Sequence, residues 1–209
     1  IRAGAEAGNV LLRGFTSIRD LGGPTFGMKI AIDAGTIPGP RIYPSGPMIS
    51  QTSGHGDFRN INQRPLLYGG STHHSEDIGA ALIADGKDAV LVATRETLKR
   101  GASQIKLCAG GGVSSSFDPV DVSEYTEEEI HAAVEAAADW GTYVAVHAFT
   151  PRAVNKAIAA GVKCIEHGQL LDDATMKLMG EKGVWLSIQA LDTAGRADSV
   201  SYTHLTLPT

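Results

Sequence analysis

The chain has 209 residues, 43% hydrophobic and 20% charged, which suits one globular domain large enough to bury a core. A net charge of −5 with no basic run leaves no electrostatic footprint for nucleic acid or for an anionic membrane. No stretch approaches the roughly 20 apolar residues of a membrane span, no signal peptide follows Ile1, and a cytoplasmic location is expected. Cys108 and Cys164 are too few for a disulfide framework and lie in apolar runs, so both are expected to be buried free thiols.

In chain order, residues 3–13 have the pattern of a helix that ends at Gly14. Residues 15–20 form a short strand closed by Gly22-Gly23, 26–34 a helix stopped by Gly35, and 41–46 a second strand. The stretch 47–78, rich in Gly, Ser, Thr, His and Asn, is too long for a plain connection, and loops of that length tend to carry function. A helix over 88–100 leads to a strand over 104–108, and Gly110-Gly111-Gly112 opens another long loop. Thr126 and Glu129 have capping-box spacing and start a helix that runs to Trp140. Strands over 143–147, 163–167 and 184–189 then alternate with helices over 151–160 and 172–181.

This alternation of strands and helices predicts an α/β fold with a parallel sheet, and the near-continuous apolar strands fit a sheet covered by helices. Six strands are visible, whereas an eight-stranded barrel needs about 250 residues, so the pattern fits either a smaller open sheet or a barrel lacking pieces. Residues 1–197 are assigned to the domain. The remainder, 198–209, lacks Gly and helical period, follows abruptly on a strand, and reads as a non-native tail of vector type. With Ile1 in place of Met, it gives the expectation that the chain is an internal piece of a longer protein.

Three polar side chains stand at matching places in successive βα units: Lys106 within one strand, His147 ending the next and His167 ending the one after. In parallel barrels the carboxyl-terminal rim is where sites assemble. A lysine inside a strand is costly unless paired or modified, and two histidines on adjacent strand ends suit a metal or acid–base pair. Each residue alone has a plainer structural reading, as a hydrogen-bonded histidine or an outward-facing lysine. Gly110-Gly111-Gly112 lacks the Gly-Lys-Ser/Thr ending of a phosphate loop, which argues against nucleotide binding.

Four segments in order, Gly14-Phe15-Thr16-Ser17-Ile18-Arg19-Asp20, Gln104-Ile105-Lys106, Val146-His147-Ala148 and Ile165-Glu166-His167-Gly168, resemble the amidohydrolase superfamily, in particular its imidazolonepropionase-like and Xaa-Pro dipeptidase branch. The resemblance implies a partial (β/α)8 barrel covering about the family's strands two to seven. It also implies a site for two divalent metal ions, zinc by the nature of the donors, with Lys106 carboxylated and bridging them and His147 and His167 as further ligands. Activated water would then hydrolyse an amide bond in a small-molecule, cyclic-amide or Xaa-Pro-like dipeptide substrate. His55, in Gly54-His55-Gly56-Asp57, takes the place of a loop histidine that contacts the substrate or the developing oxyanion, while His73 and His74 read as surface residues. Phe149 stands where the dipeptidases often carry a tyrosine, which puts dipeptide specificity in doubt, and Arg19 and Arg152 are nearby cations without an assigned role.

The family's first-strand His-x-His is absent, and Asp192 and Asp198 come too early to be its strand-eight aspartate. The expectation is therefore a hydrolase whose present chain is inactive, exposes strand edges and is prone to aggregate. The alternatives are a non-catalytic barrel fragment and a Schiff-base lyase using Lys106. A homo-oligomer is left open as a partner.

Overall fold

The computed structural model describes residues 2–188, so the 198–209 tail, Asp192 and Asp198 lie outside the described residues. All sheet pairing between named strands is parallel. Helix α1 (Arg2–Leu12) precedes strand β1 (Ser17–Asp20), helix α2 (Phe26–Asp33) and strand β2 (Arg41–Pro44). β1 and β2 pair as a two-stranded sheet. Ser45, Gly46 and Pro47 interrupt the chain before it resumes as β3 (Met48–Ser50). Gly46 sits at φ 72, and a Cβ there would fall 2.6 Å from the Phe26 ring, so both the turn and the packing of α2 require glycine.

A six-stranded sheet carries the rest, in the order β4-β3-β5-β6-β7-β8. Its members are β3, β4 (Ala81–Ile83), β5 (Ile105–Cys108), β6 (Val144–Ala148), β7 (Cys164–His167) and β8 (Trp185–Ser187). The two sheets are joined where Ser103 N–H donates to the Pro44 carbonyl at 2.8 Å and the Gln104 side-chain amide donates to the carbonyls of Asp20 and Tyr43, both at 3.0 Å. Where the sequence predicts six strands, the described residues form eight. The stretch 47–78, expected as one functional loop, contains β3 and a short helix α3 (His74–Asp77), with β4 just beyond it. Three-residue strands are too short for alternation to show in a sequence.

Helices α4 (Lys87–Lys99), α5 (Glu127–Asp139), α6 (Pro151–Ala159) and α7 (Asp173–Lys182) separate β4 to β8. The capping box is present: Thr126 Oγ1 accepts from Glu129 N–H and a Glu129 carboxylate oxygen accepts from Thr126 N–H. Pro151 occupies the first turn of α6 behind the Thr150 cap, where its missing N–H costs nothing. His73, expected as a surface residue, instead caps α3, its ring accepting from Ser75 N–H, while His74 is exposed as expected.

Alternation along the central strands sorts the side chains. Ile105, Leu107, Val144, Val146 and Ile165 are fully or almost fully buried in one core with Val90, Leu98, Ile130, Ala133, Val154 and Ala157 of the covering helices. The opposite face carries Lys106 and Cys108, in register with Ala145 and His147, which are in turn in register with Cys164 and Glu166. One face is therefore the apolar core, and the other is a lining of ionisable groups, as on the inside of a barrel arc. Both cysteines are buried free thiols, as expected.

Candidate active site

Lys106 and His147 are almost wholly buried, at 4% and 3% exposure. Burial pulls the Lys106 pKa down, and it pulls that of His147 well below the ordinary histidine range, assisted by the fields of His55, Lys106 and His167. His147 is therefore neutral. Its Nε2 lies 3.0 Å from the Gly111 carbonyl, which can only accept, so Nε2 carries the proton and Nδ1 keeps the lone pair. A backbone carbonyl that fixes a histidine tautomer in this way is the usual support of a metal-binding imidazole.

His167 is placed by its backbone. It pairs with Ala148, a core residue on the helix side of the sheet, so plain alternation would send its ring away from His147. Its φ of 78 turns the strand end over, and the ring instead meets that of His147 edge-on at 4.7 Å between centroids. Left-handed backbone at a non-glycine residue is uncommon, less so for histidine, and gathers at functional sites. Phe149 packs against both rings, 4.9 Å from His147 and 5.4 Å from His167.

The fourth ring comes from the loop after β3. His55 stacks on His147 at 3.9 Å with an interplanar angle of 10°. Its backbone N–H donates to Glu124 at 2.7 Å, and its Nδ1 lies 2.7 Å from Ser115 Oγ and 3.1 Å from Asp118 Oδ2. Close approach is possible because residue 112 is glycine: a Cβ there would sit 1.9 Å from His55 Nδ1. The loop opened by Gly110 is drawn across the strand ends by the Gly110–Ser123 bridge and by Glu124 N–H donating to Ala109. Glu124, at 1% exposure, has its pKa raised by burial to about 8, and burial likewise pushes the Cys108 thiol up to about 12.

The structure thus gathers His55, His147 and His167 into one ring cluster and sets Lys106 on the same interior face, one layer toward the amino-terminal ends of the strands. Arg19 lies deeper, where its guanidinium donates to Glu166 at 2.8 Å and to Cys164. Burial opposes ionisation of Glu166, but hydrogen bonds from Cys164 and Ser187 and the Arg19 charge outweigh it and hold the pKa below the ordinary range. Arg152 is exposed on α6. A cavity of about 600 Å³ lined by Arg19, Tyr143, Lys163 and Trp185 opens at the amino-terminal end of β6 and β7, away from the histidines.

Among the described residues, no group of three or more His, Cys, Asp or Glu is arranged to hold a metal ion. What the interior face offers is two imidazoles, one with its tautomer fixed, and a lysine. Ser115, Asp118 and Glu124 were not singled out from the sequence. They lie in a loop without periodicity, and nothing short of the fold brings them to His55.

The sequence matches the amidohydrolase family over residues 7–208. The chain belongs to the amidohydrolase family. An ochratoxinase of Aspergillus niger is 37% identical over 186 residues, covering 83% of this chain and 37% of that protein. Among solved family structures, a prolidase complexed with N-methylphosphonate-L-proline is 40% identical with a TM-score of 0.86, covering 94% of this chain and 48% of its own. A Xaa-Pro dipeptidase with methionine in its active site is 34% identical with a TM-score of 0.74, covering 87% and 44%. The chain therefore spans less than half the length of each of these relatives. The family resemblance carried by the four short motifs is borne out on its prolidase and Xaa-Pro dipeptidase side, and the expected α/β fold with a parallel sheet is the one observed, matching the solved structures of the family.

Proposed function

We propose that this chain is part of a metal-dependent hydrolase that cleaves an amide bond of a small substrate, either a Xaa-Pro-like dipeptide or a cyclic amide. The observation that carries the reading is the turn of His167 to meet His147 beside Lys106, on the polar face of an otherwise apolar sheet. The names of the prolidase, dipeptidase and ochratoxinase relatives support the amide class.

The residues fit a divalent metal in part. His147 would bind through Nδ1, the nitrogen left bare by the hydrogen bond to Gly111, with His167 beside it. Lys106 would join as a carbamate. Burial lowers the pKa of its amine, which favours the neutral form that carboxylation needs, and the product is a hard oxygen donor. Bound zinc supplies Lewis-acid polarisation of the scissile carbonyl and lowers the pKa of water. The protein supplies the rest: Phe149 shields the two imidazoles from water, and His55, stacked on His147, contacts the substrate. Phe149 has no hydroxyl with which to hold a substrate carboxylate, so a proline dipeptide would have to be gripped elsewhere. Because the sequence contains no His-x-His pair, this chain by itself is expected to turn over little or no substrate.

The test is metal content per chain after loading with zinc and bicarbonate and removal of excess. Bound zinc that falls on Lys106→Ala and on His147→Ala supports the reading. Zinc content unchanged by both substitutions overturns it. Borohydride trapping of a carbonyl compound at Lys106 would favour Schiff-base chemistry instead.

A further inference from the structure

His55 is held from one side of its ring, and the partner on that side is an incompletely satisfied acid. The Asp118 side chain is 1% exposed. Its Oδ2 accepts the Gly112 N–H at 2.8 Å and lies 3.1 Å from His55 Nδ1, while Oδ1 is buried without a hydrogen-bond partner among the described residues. A buried carboxylate takes the donors within reach, because an acceptor lone pair left bare in a low-dielectric surround is costly. If Nδ1 carried its own lone pair, nitrogen and carboxylate lone pairs would face each other at 3.1 Å. With the proton on Nδ1, the contact becomes a charge-assisted hydrogen bond. Ser115 Oγ, 2.7 Å from Nδ1, does not decide the matter, since a hydroxyl rotates to donate or accept.

We propose that Asp118 is a positioning residue that holds His55 in the Nδ1–H form and leaves Nε2, across the ring, as the nitrogen presented to a ligand. In the neutral ring that nitrogen accepts, so His55 is set to receive a donor hydrogen of the ligand rather than to donate to an oxyanion. The arrangement is locked by shape as well as charge. Gly112 brings both its N–H to Asp118 and its bare Cα to the His55 ring, and a Cβ on Gly54 would collide with Glu124 and Ser50 at 2.6 Å. Only the identity of what meets Nε2 rests on the hydrolase reading; the tautomer does not.

The experiment is a long-range proton–nitrogen correlation of the metal-free chain with labelled histidine, at a pH where the ring is neutral, with His55 assigned by its loss in His55→Gln. The expected pattern is a protonated Nδ1 and a bare Nε2. Asp118→Asn, which can keep an acceptor oxygen facing Nδ1, preserves it; Asp118→Leu shifts the ring toward Nε2–H; Ser115→Ala leaves it unchanged. A protonated Nε2 in the unaltered chain overturns the proposal even if Asp118→Leu fails to fold. So does a pattern that follows Ser115 rather than Asp118. Because no metal is present, the outcome is independent of zinc binding: loss of zinc on Lys106→Ala could succeed while this fails, or the reverse.

Discussion

Gly112→Ala should damage the chain through a single side chain, and the geometry says which one. The added Cβ would stand 1.9 Å from His55 Nδ1 and 2.1 Å from Cε1, where ordinary contact begins at 3.4 Å. The ring must therefore retreat by about 1.5 Å, a distance at which hydrogen bonds to Ser115 and Asp118 of 2.7 and 3.1 Å cannot survive. Two such bonds, one to a buried carboxylate, are worth about 2–4 kcal/mol together. The Gly112 backbone lies outside the left-handed region, so alanine adds no strain there, and the stiffer unfolded chain returns about 0.4–1 kcal/mol. The net loss is about 1–3 kcal/mol, which at a urea m-value of about 2 kcal/mol/M lowers the unfolding midpoint by roughly 1 M. The decisive comparison is the same substitution in a His55→Ala background. With the ring gone the collision is gone, and Gly112→Ala should become neutral or slightly stabilising. Gly111→Ala serves as the control, because its Cβ would strike the Pro119 carbonyl oxygen at 1.9 Å, a backbone atom that His55→Ala cannot move. An equal loss for Gly112→Ala in both backgrounds would refute the contact and, with it, the placement of His55 over His147.

Two further outcomes follow from the buried charges. Burial raises the Glu124 pKa from 4.5 to about 8, so the folded chain holds a proton that the unfolded chain releases across that interval, and stability falls as pH rises from 4.5 to 8. Glu124→Gln, which is neutral throughout, should gain on the unaltered chain by a margin of order 4 kcal/mol between those limits; equilibrium unfolding at pH 5 and pH 8 checks this, and a pH-independent difference would refute it. Arg19→Ala leaves the mostly buried Glu166 without its 2.8 Å partner and should cost about 1–3 kcal/mol, the range being reduced because the Arg19 side chain is 29% exposed. The same change in a Glu166→Gln background should cost less than half as much, as read from urea midpoints.

The repeating part of the fold is legible in the sequence. Apolar runs such as Val144–Ala148 and caps such as Thr126 with Glu129 are local signals, set by alternation and by the unpaired N–H groups of a helix start, and they located six of the eight described strands, β1, β2 and β5 to β8, and all four covering helices. Family motifs three to seven residues long placed Lys106, His147 and His167 in successive units. β3 and β4 were missed because three residues carry no readable period, and because each is held by a neighbour distant in sequence, Ile49 opposite Leu107 for one. The tertiary structure alone decided which way the polar side chains face. His167 turns inward through a left-handed backbone that alternation would not give it. Asp118 and Glu124 matter only because a glycine-rich loop folds back to set them against His55, 63 and 69 residues away in sequence. Local propensity acts over a turn or a strand, whereas the burial that shifts Glu124, and that leaves Asp118 Oδ1 without a partner among the described residues, comes from surfaces that meet only when the chain folds.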